Sequence, residues 1–398
     1  MRRTLLFVNV AHFLDHYFLL IFSTAVLAIH PAWNMSYGAA LALGTPGFVA
    51  FALGTPVAGW LGDRWGGRPM MAIFFVGIGL SSVATGLATG PLTLAAGLTA
   101  IGAFASIYHP VGTAMVVRLA NRTGRALGVN GVYGNLGVAA AAGVTGLIAG
   151  YLGWRAAFIA PGLLTAAAGL AFLRLPAAEN HEAAARRGAQ VLDASRADRV
   201  RVLVIVLVAS LFGGIAFNGI TVALPKIFEE RVAAALSGDG GIAAIGAYAS
   251  LVFAAAAFTQ IPVGRLLDRI GGKPIMVAMT GLQALLFFVL ANVYGPLAIV
   301  VAIPLMLAVF GEIPVASWLI GRYVAAEWRS RVFSLQYLLT LGVSSAIVPL
   351  ISVLYERTGS STALLMVLSG SMLVVFVLAW LLPGGVRALL AQPQPATR

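Results

Sequence analysis

Twelve apolar runs, each close to the roughly 20 residues that an α-helix needs to cross a bilayer core, occupy most of this chain. They fall at about 5–29, 38–60, 70–89, 92–117, 126–150 and 156–173, then at about 202–225, 242–262, 275–291, 297–320, 332–354 and 362–382, punctuated by Gly, Pro and charge. A chain that is 60% hydrophobic and 10% charged cannot clothe a water-facing surface. A soluble enzyme is therefore excluded. The formal charge of +12 does not point to nucleic acid, because the cations are dispersed among apolar runs and not gathered on a polar face. The first run is too long and too polar for a cleaved signal peptide, so a true span is expected there. With no cysteine, disulfides and thiolate sites are excluded as well.

The one long hydrophilic stretch, Arg174 to Arg201, divides the runs six and six. The expected organisation is an all-α membrane protein of two six-helix bundles, residues 1–173 and 202–398, with a linker at 174–201 and a short tail after the last span. An even number of spans puts both chain ends on one side. Of 25 Lys and Arg residues, only Arg155, Lys226, Arg231 and Arg357 fall on the other side. Cationic loops stay in the cytoplasm, so both termini are expected there, in a multi-pass protein of the cell's inner (plasma) membrane.

The halves repeat one another. Gly59-Trp-Leu61-Gly-Asp63-Arg64-Trp-Gly66-Gly67-Arg68-Pro69 is echoed by Gly264-Arg-Leu266-Leu-Asp268-Arg269-Ile-Gly271-Gly272-Lys273-Pro274, 205 residues later. At an offset of 204, Pro110 pairs with Pro314, Arg118 with Arg322, Arg125 with Arg329 and Tyr133 with Tyr337. Parallel six-helix repeats are how many secondary transporters build two bundles that rock about a central site. In each loop the Gly pair suits a tight turn, Gly59 and Gly264 suit close helix packing, and the acid can pair with Arg64, Arg68, Arg269 or Lys273.

The duplicated G-x-L-x-D-R-x-G-x-[RK] loop, twelve spans and central linker resemble the major facilitator superfamily over nearly the whole chain. Within it, His12-Phe-Leu-Asp15, Tyr108-His109-Pro110 and Tyr133-Gly134-Asn135-Leu136-Gly137 are similar to fosmidomycin-resistance-type exporters, and Gly143 to Phe158 looks like the end of span five in drug exporters. The resemblance implies a gating latch on the terminal side built from Gly59, Asp63, Arg64, Arg68, Gly264, Asp268, Arg269 and Lys273. Two departures leave import open beside export: Val144 follows Gly143 where the antiporter pattern has Pro, and no Arg lies early in span four.

An ionisable group in the bilayer core is costly and hence functional by default. Of 13 acids only Asp15 and Glu312 lie inside spans. Asn9, His12 and His16 share one helical face with Asp15 at its margin, and His109 lies in span four. This cluster can carry a proton, tighten the packing of spans one and four, or, through the i, i+3, i+4 spacing of His12, Asp15 and His16, hold a divalent ion. Glu312 takes the position of Tyr108 in the second half, while Asn130, Tyr133, Asn135, Asn218, Gln336 and Tyr337 offer neutral hydrogen bonds. Trp33, Trp154 and Trp318 lie near span ends, where aromatic belts are expected. Two Leu-Gly-Thr-Pro steps, at 43–46 and 53–56, suggest bends in span two.

No Lys or Arg lies mid-span, which disfavours an obligate anion carrier. The leading expectation is a monomeric, proton-coupled secondary transporter that exports a small organic solute, such as a drug-like compound or metabolite, without a cofactor. Beside it stand import or uniport of a metabolite and export of a divalent transition metal on the same fold. An intramembrane enzyme is remote, because no second catalytic group stands at a known spacing. No ATP-binding loop is present in the sequence, which argues against primary pumping.

Overall fold

The computed structural model describes residues 2–119, 123–175, 194–232 and 241–383. Among the described residues, twelve helices are long and apolar enough to cross a membrane: spans 1 to 6 are Arg3–Ala32, Tyr37–Trp65, Gly67–Gly86, Pro91–Leu119, Arg125–Leu152 and Trp154–Leu173. Spans 7 to 12 are Arg196–Arg231, Ile242–Ile270, Gly272–Asn292, Pro296–Tyr323, Arg331–Thr358 and Thr362–Trp380. They form two pseudo-symmetric six-helix bundles, spans 1 to 6 and spans 7 to 12. Span 7 starts six residues before the expected end of the linker, because Ser195 accepts a hydrogen bond from the Asp198 N–H and caps the helix. Residues 176–193 of that linker, Arg122 and the tail from 384 lie outside the described residues.

The repeated loop folds alike in both halves. Gly66 has φ 86° and Gly271 φ 84°, and their N–H groups close the preceding helices on Gly62 and Leu267 carbonyls at 3.0 Å each. That left-handed turn is open to glycine at no steric cost. The cations then do something other than pair within the loop. Arg68 donates to the carbonyls of Leu173 and Leu175, and Lys273 to that of Leu382, so each caps the free C-terminal carbonyls of the last span in its own half. Gly59 and Gly264 do not serve close packing as expected. A Cβ on Gly59 would make only ordinary contact with Pro110, and one on Gly264 would meet nothing within 4 Å.

Proline places the irregularities. Span 2 breaks between Ala42 and Thr45, ahead of Pro46, whereas the second Leu-Gly-Thr-Pro step stays inside a continuous helix. Span 8 breaks at Phe258 and Thr259, ahead of Pro262. Span 4 widens into a π-turn at Tyr108–Gly112, around Pro110, which has no N–H to give.

The bundles meet along spans 5 and 8. Gly146 and Gly246 pack backbone to backbone there, Gly143 faces Ser250, and the Asn135 amide donates to the Ala257 carbonyl at 3.2 Å. At the end away from the chain termini, span 2 is tied to span 11. The Glu356 carboxylate accepts from Ser36 and from the Ala39 N–H, and Ser352 donates to the Gly38 carbonyl. Tyr37 and Tyr355 stand edge to face at 4.9 Å with the Lys226 ammonium over both rings. Among the described residues, no ion pair joins the two bundles at the opposite, terminal end.

The expected aromatic belts are only partly there. Trp154 is buried, edge-on to Trp33 and under the Arg155 guanidinium, and the Trp318 indole donates to Asp268. Tryptophan offers one end to apolar neighbours and one N–H to a polar partner, and here the partners lie within the protein.

Candidate functional site

Spans 1, 4 and 5 assemble the polar centre of the first bundle. The backbone of Asn130 accepts from His12 Nδ1 at 2.7 Å; a carbonyl can only accept, so that nitrogen carries the proton. The Asn130 side chain bonds Asn9 at 2.9 Å and Tyr108 at 2.7 to 3.0 Å. The Tyr108 ring stacks on His12 at 4.6 Å between centroids. The π-turn sets Tyr108 and His109 side by side, one ring against His12 and the other over both His12 and His16.

Asp15 is fully buried, and neither of its oxygens makes a hydrogen bond of regular geometry. Its Oδ2 lies 3.3 Å from His109 Nε2, and the His109 side chain keeps 25% of its surface exposed. His109 is thus the basic group, among the described residues, that stands against this carboxyl and is itself partly exposed. Three imidazoles ring the same space, with centroids 5.0 Å apart for His12 and His16, 5.5 Å for His12 and His109, and 5.7 Å for His16 and His109. The sequence spacing singled out His12, Asp15 and His16 as an ion-holding set. The structure instead gathers His12, His16 and His109, with Asp15 beside His109, because the adjacent Asp15 and His16 leave the helix about 100° apart while the π-turn brings His109 across.

Among the described residues, the mid-span acid of the second bundle is Glu312, in span 10. Glu312 accepts from Gln283 of span 9 at 2.7 Å, and Gln283 is itself buried. Gln283 escaped the sequence reading, although a lone amide in the apolar run of span 9 was the available signal. Asn218 is not aimed at an open site: it donates to Gly214 of its own helix at 2.8 Å and approaches Thr340 of span 11 at 3.5 Å. The Gln336 side-chain amide oxygen is buried without a partner, Tyr133 is half-buried in span 5, and the Tyr337 side chain lies outside the described residues. In the loops, Asp268 binds the Trp318 indole at 3.1 Å and the Arg322 guanidinium at 3.8 Å, whereas Arg64 lies over Trp60 and Asp63 is exposed.

Residues 5–236, more than half of the chain, match the sequence profile of the Major Facilitator Superfamily. The chain belongs to this superfamily and is a transporter, not an enzyme. Among solved structures, this transporter is similar to a D-xylose-proton symporter, at TM-score 0.73 and 16% identity over 94% of this chain and 96% of that one. It is also similar to a bacterial homologue of the human lysosomal transporter Spinster, inward-facing and occupied, at TM-score 0.72 and 15% identity over 96% and 95%. The nucleoside transporter NupG aligns at TM-score 0.73 and 14% identity over 95% and 99%. At such identities the likeness is one of fold. A protein of Escherichia coli (strain K12), named as a metabolite transport protein, is 29% identical over 129 residues, which are 32% of this chain and 29% of that relative's own length.

Proposed function

We propose that this member of the superfamily is a proton-coupled secondary transporter that exports a small organic solute by alternating access. The observation that carries the reading is the fully buried Asp15 carboxyl, which has no regular hydrogen bond and a single basic neighbour, the quarter-exposed His109. An unpaired charge in such a place is costly, so a carboxyl there exchanges its proton more readily than it stays ionised, and His109 is the group placed to pass that proton on. The absence of mid-span Lys or Arg favours a neutral or cationic solute, with Glu312 and Gln283 of the second bundle as further contacts. The cation bias supports termini in the cytoplasm of the inner (plasma) membrane. Similarity of the His12, Tyr108 and Tyr133 segments to fosmidomycin-resistance-type exporters supports efflux.

A second reading, import of a metabolite with protons, is supported by Val144 and by the names of the xylose symporter and the Escherichia coli relative. One experiment separates them. The purified protein is placed in liposomes with an imposed pH gradient and a panel of solutes. Export by antiport drives solute against the proton flow, and symport drives it along. Loss of solute-dependent proton flux in Asp15→Asn supports the coupling, and counterflow indifferent to the gradient overturns it.

A further inference from the structure

The imidazoles around Asp15 hold more than a proton relay requires. Because the Asn130 carbonyl holds the proton of His12 on Nδ1, the lone pair is on Nε2, which is buried without a hydrogen-bond partner. Gly134 of span 5 lies against the face of the same ring, where a Cβ would stand 2.6 Å from both Cε1 and Nε2 and push the imidazole aside. On the other side, Asp15 faces His109 Nε2; with the proton on that atom, the lone pair of His109 lies on Nδ1. His16 makes no hydrogen bond among the described residues and stands against both rings. A neutral imidazole keeps one ring lone pair free, and three such rings stand together here. Carbonyl and carboxylate partners on the far nitrogens of two of them are the arrangement that fixes metal-binding histidines in place.

We propose that His12 through Nε2, together with His16 and His109, forms a three-imidazole site for a divalent first-row transition ion such as zinc, nickel or cobalt, with Asp15 as its counter-charge and positioning residue. One ring nitrogen from each histidine lies within 4.8 Å of the other two. Nitrogens sharing an ion at about 2.1 Å stand about 3.4 Å apart in tetrahedral geometry, so the rings draw inward by little more than an ångström on loading. Neutral imidazole suits these ions better than calcium or magnesium, which take oxygen donors. A fourth position stays open for water or for an oxygen of the solute. Protons and the ion compete for the same nitrogens, which ties metal occupancy to the proton exchange proposed above. The inference deepens that reading of the cluster and rests on it for the site's place in transport, while binding itself is testable apart from transport.

The test uses the full-length protein without an affinity tag and Co²⁺ as the probe. One equivalent of Co²⁺ is expected to give the visible absorption of a tetrahedral nitrogen-ligated ion and to raise the unfolding temperature. Both effects are expected to vanish in His16→Ala and in Gly134→Ala, and affinity is expected to fall about 10- to 100-fold in Asp15→Asn and in Asn130→Ala. His30→Ala, remote from the cluster in sequence, controls for stray binding and keeps the signal. No absorption in the wild type, or absorption that survives His12→Ala/His16→Ala, overturns the site. In liposomes, metal flux driven by the pH gradient identifies the free ion as cargo, and binding without metal flux identifies a held ion that receives the solute. Binding without any proton-coupled flux keeps the site and removes the coupling, and coupled flux in a protein that binds no metal does the reverse.

Discussion

The two bundles share a backbone plan and differ in what they do with it. In the first, Asn9, His12, Tyr108 and Asn130 form a network across spans 1, 4 and 5, with His16, His109 and the buried Asp15 beside it. In the second, Ile313 corresponds to His109 and Ser334 to Asn130 in the sequence, 204 residues on, and span 10 stays α-helical where span 4 has its π-turn, with Glu312 held by Gln283. Duplication kept what the helices need, the glycine turn and the cation that caps the last span, and let the interior drift. The turn is constrained by backbone sterics that any copy must satisfy. On the proposed reading, the interior is constrained by proton exchange at Asp15, which sits in one bundle only.

That contrast can be broken most directly by exchanging the two acids for amides. Asp15→Asn is expected to lower gradient-driven transport about a hundredfold or more, as when a positioned proton-transfer group is removed. Glu312→Gln keeps a partner for Gln283 and is expected to cost about tenfold at most, the worth of one hydrogen bond. Equal losses, measured as initial rates in liposomes, would make the second bundle a full partner in coupling.

The loop acids sharpen the contrast further. Asp268 is already bound to Trp318 and Arg322 within its own bundle, while Asp63 is exposed at the terminal end, where no ion pair joins the bundles among the described residues. On the proposed alternating-access reading, Asp63 is placed to pair when that end closes. Asp63→Asn is expected to slow transport with the folded fraction unchanged, and Asp268→Asn to alter it less. Identical rates for Asp63→Asn and wild type would remove the latch role.

Two smaller effects test what the halves share. Gly66→Ala is expected to destabilise the protein by about 1 to 3 kcal/mol, the backbone cost of a positive φ with extended ψ, since the new methyl would meet nothing within 4 Å. Gly271→Ala is expected to cost the same, and unfolding in detergent compares them. Arg68→Ala and Lys273→Ala each remove a cap on helix carbonyls and are expected to cost about 1 kcal/mol, again alike in the two halves. A large difference within either pair would show that the bundles differ in stability as well as in chemistry.

The gross architecture was legible in the chain because a bilayer imposes a length and a polarity on every span, and twelve runs meet both. The turn at Gly66 and Gly271 was legible for a similar reason: a glycine pair between helices is a local backbone requirement. The interior acids were legible because an ionisable residue in an apolar run stands out. Less visible was where each polar group finds its partner. Arg68 and Lys273 looked like partners for the loop acids and instead cap distant helices, and Trp154 looked like a belt residue and is packed inside.

By itself, then, the sequence determined the twelve spans, the duplication, the glycine turns and the short list of buried acids and histidines, all of them local properties of composition and spacing. Only the tertiary structure decided that Asp15 faces His109 and not the histidines of its own helix, that Asn130 orients His12, and that three imidazoles from spans 1 and 4 face one space beside Gly134. The reason is geometric. A π-turn around Pro110 and the approach of span 5 to span 1 set those side chains against one another, and neither leaves a mark in the spacing of a single span.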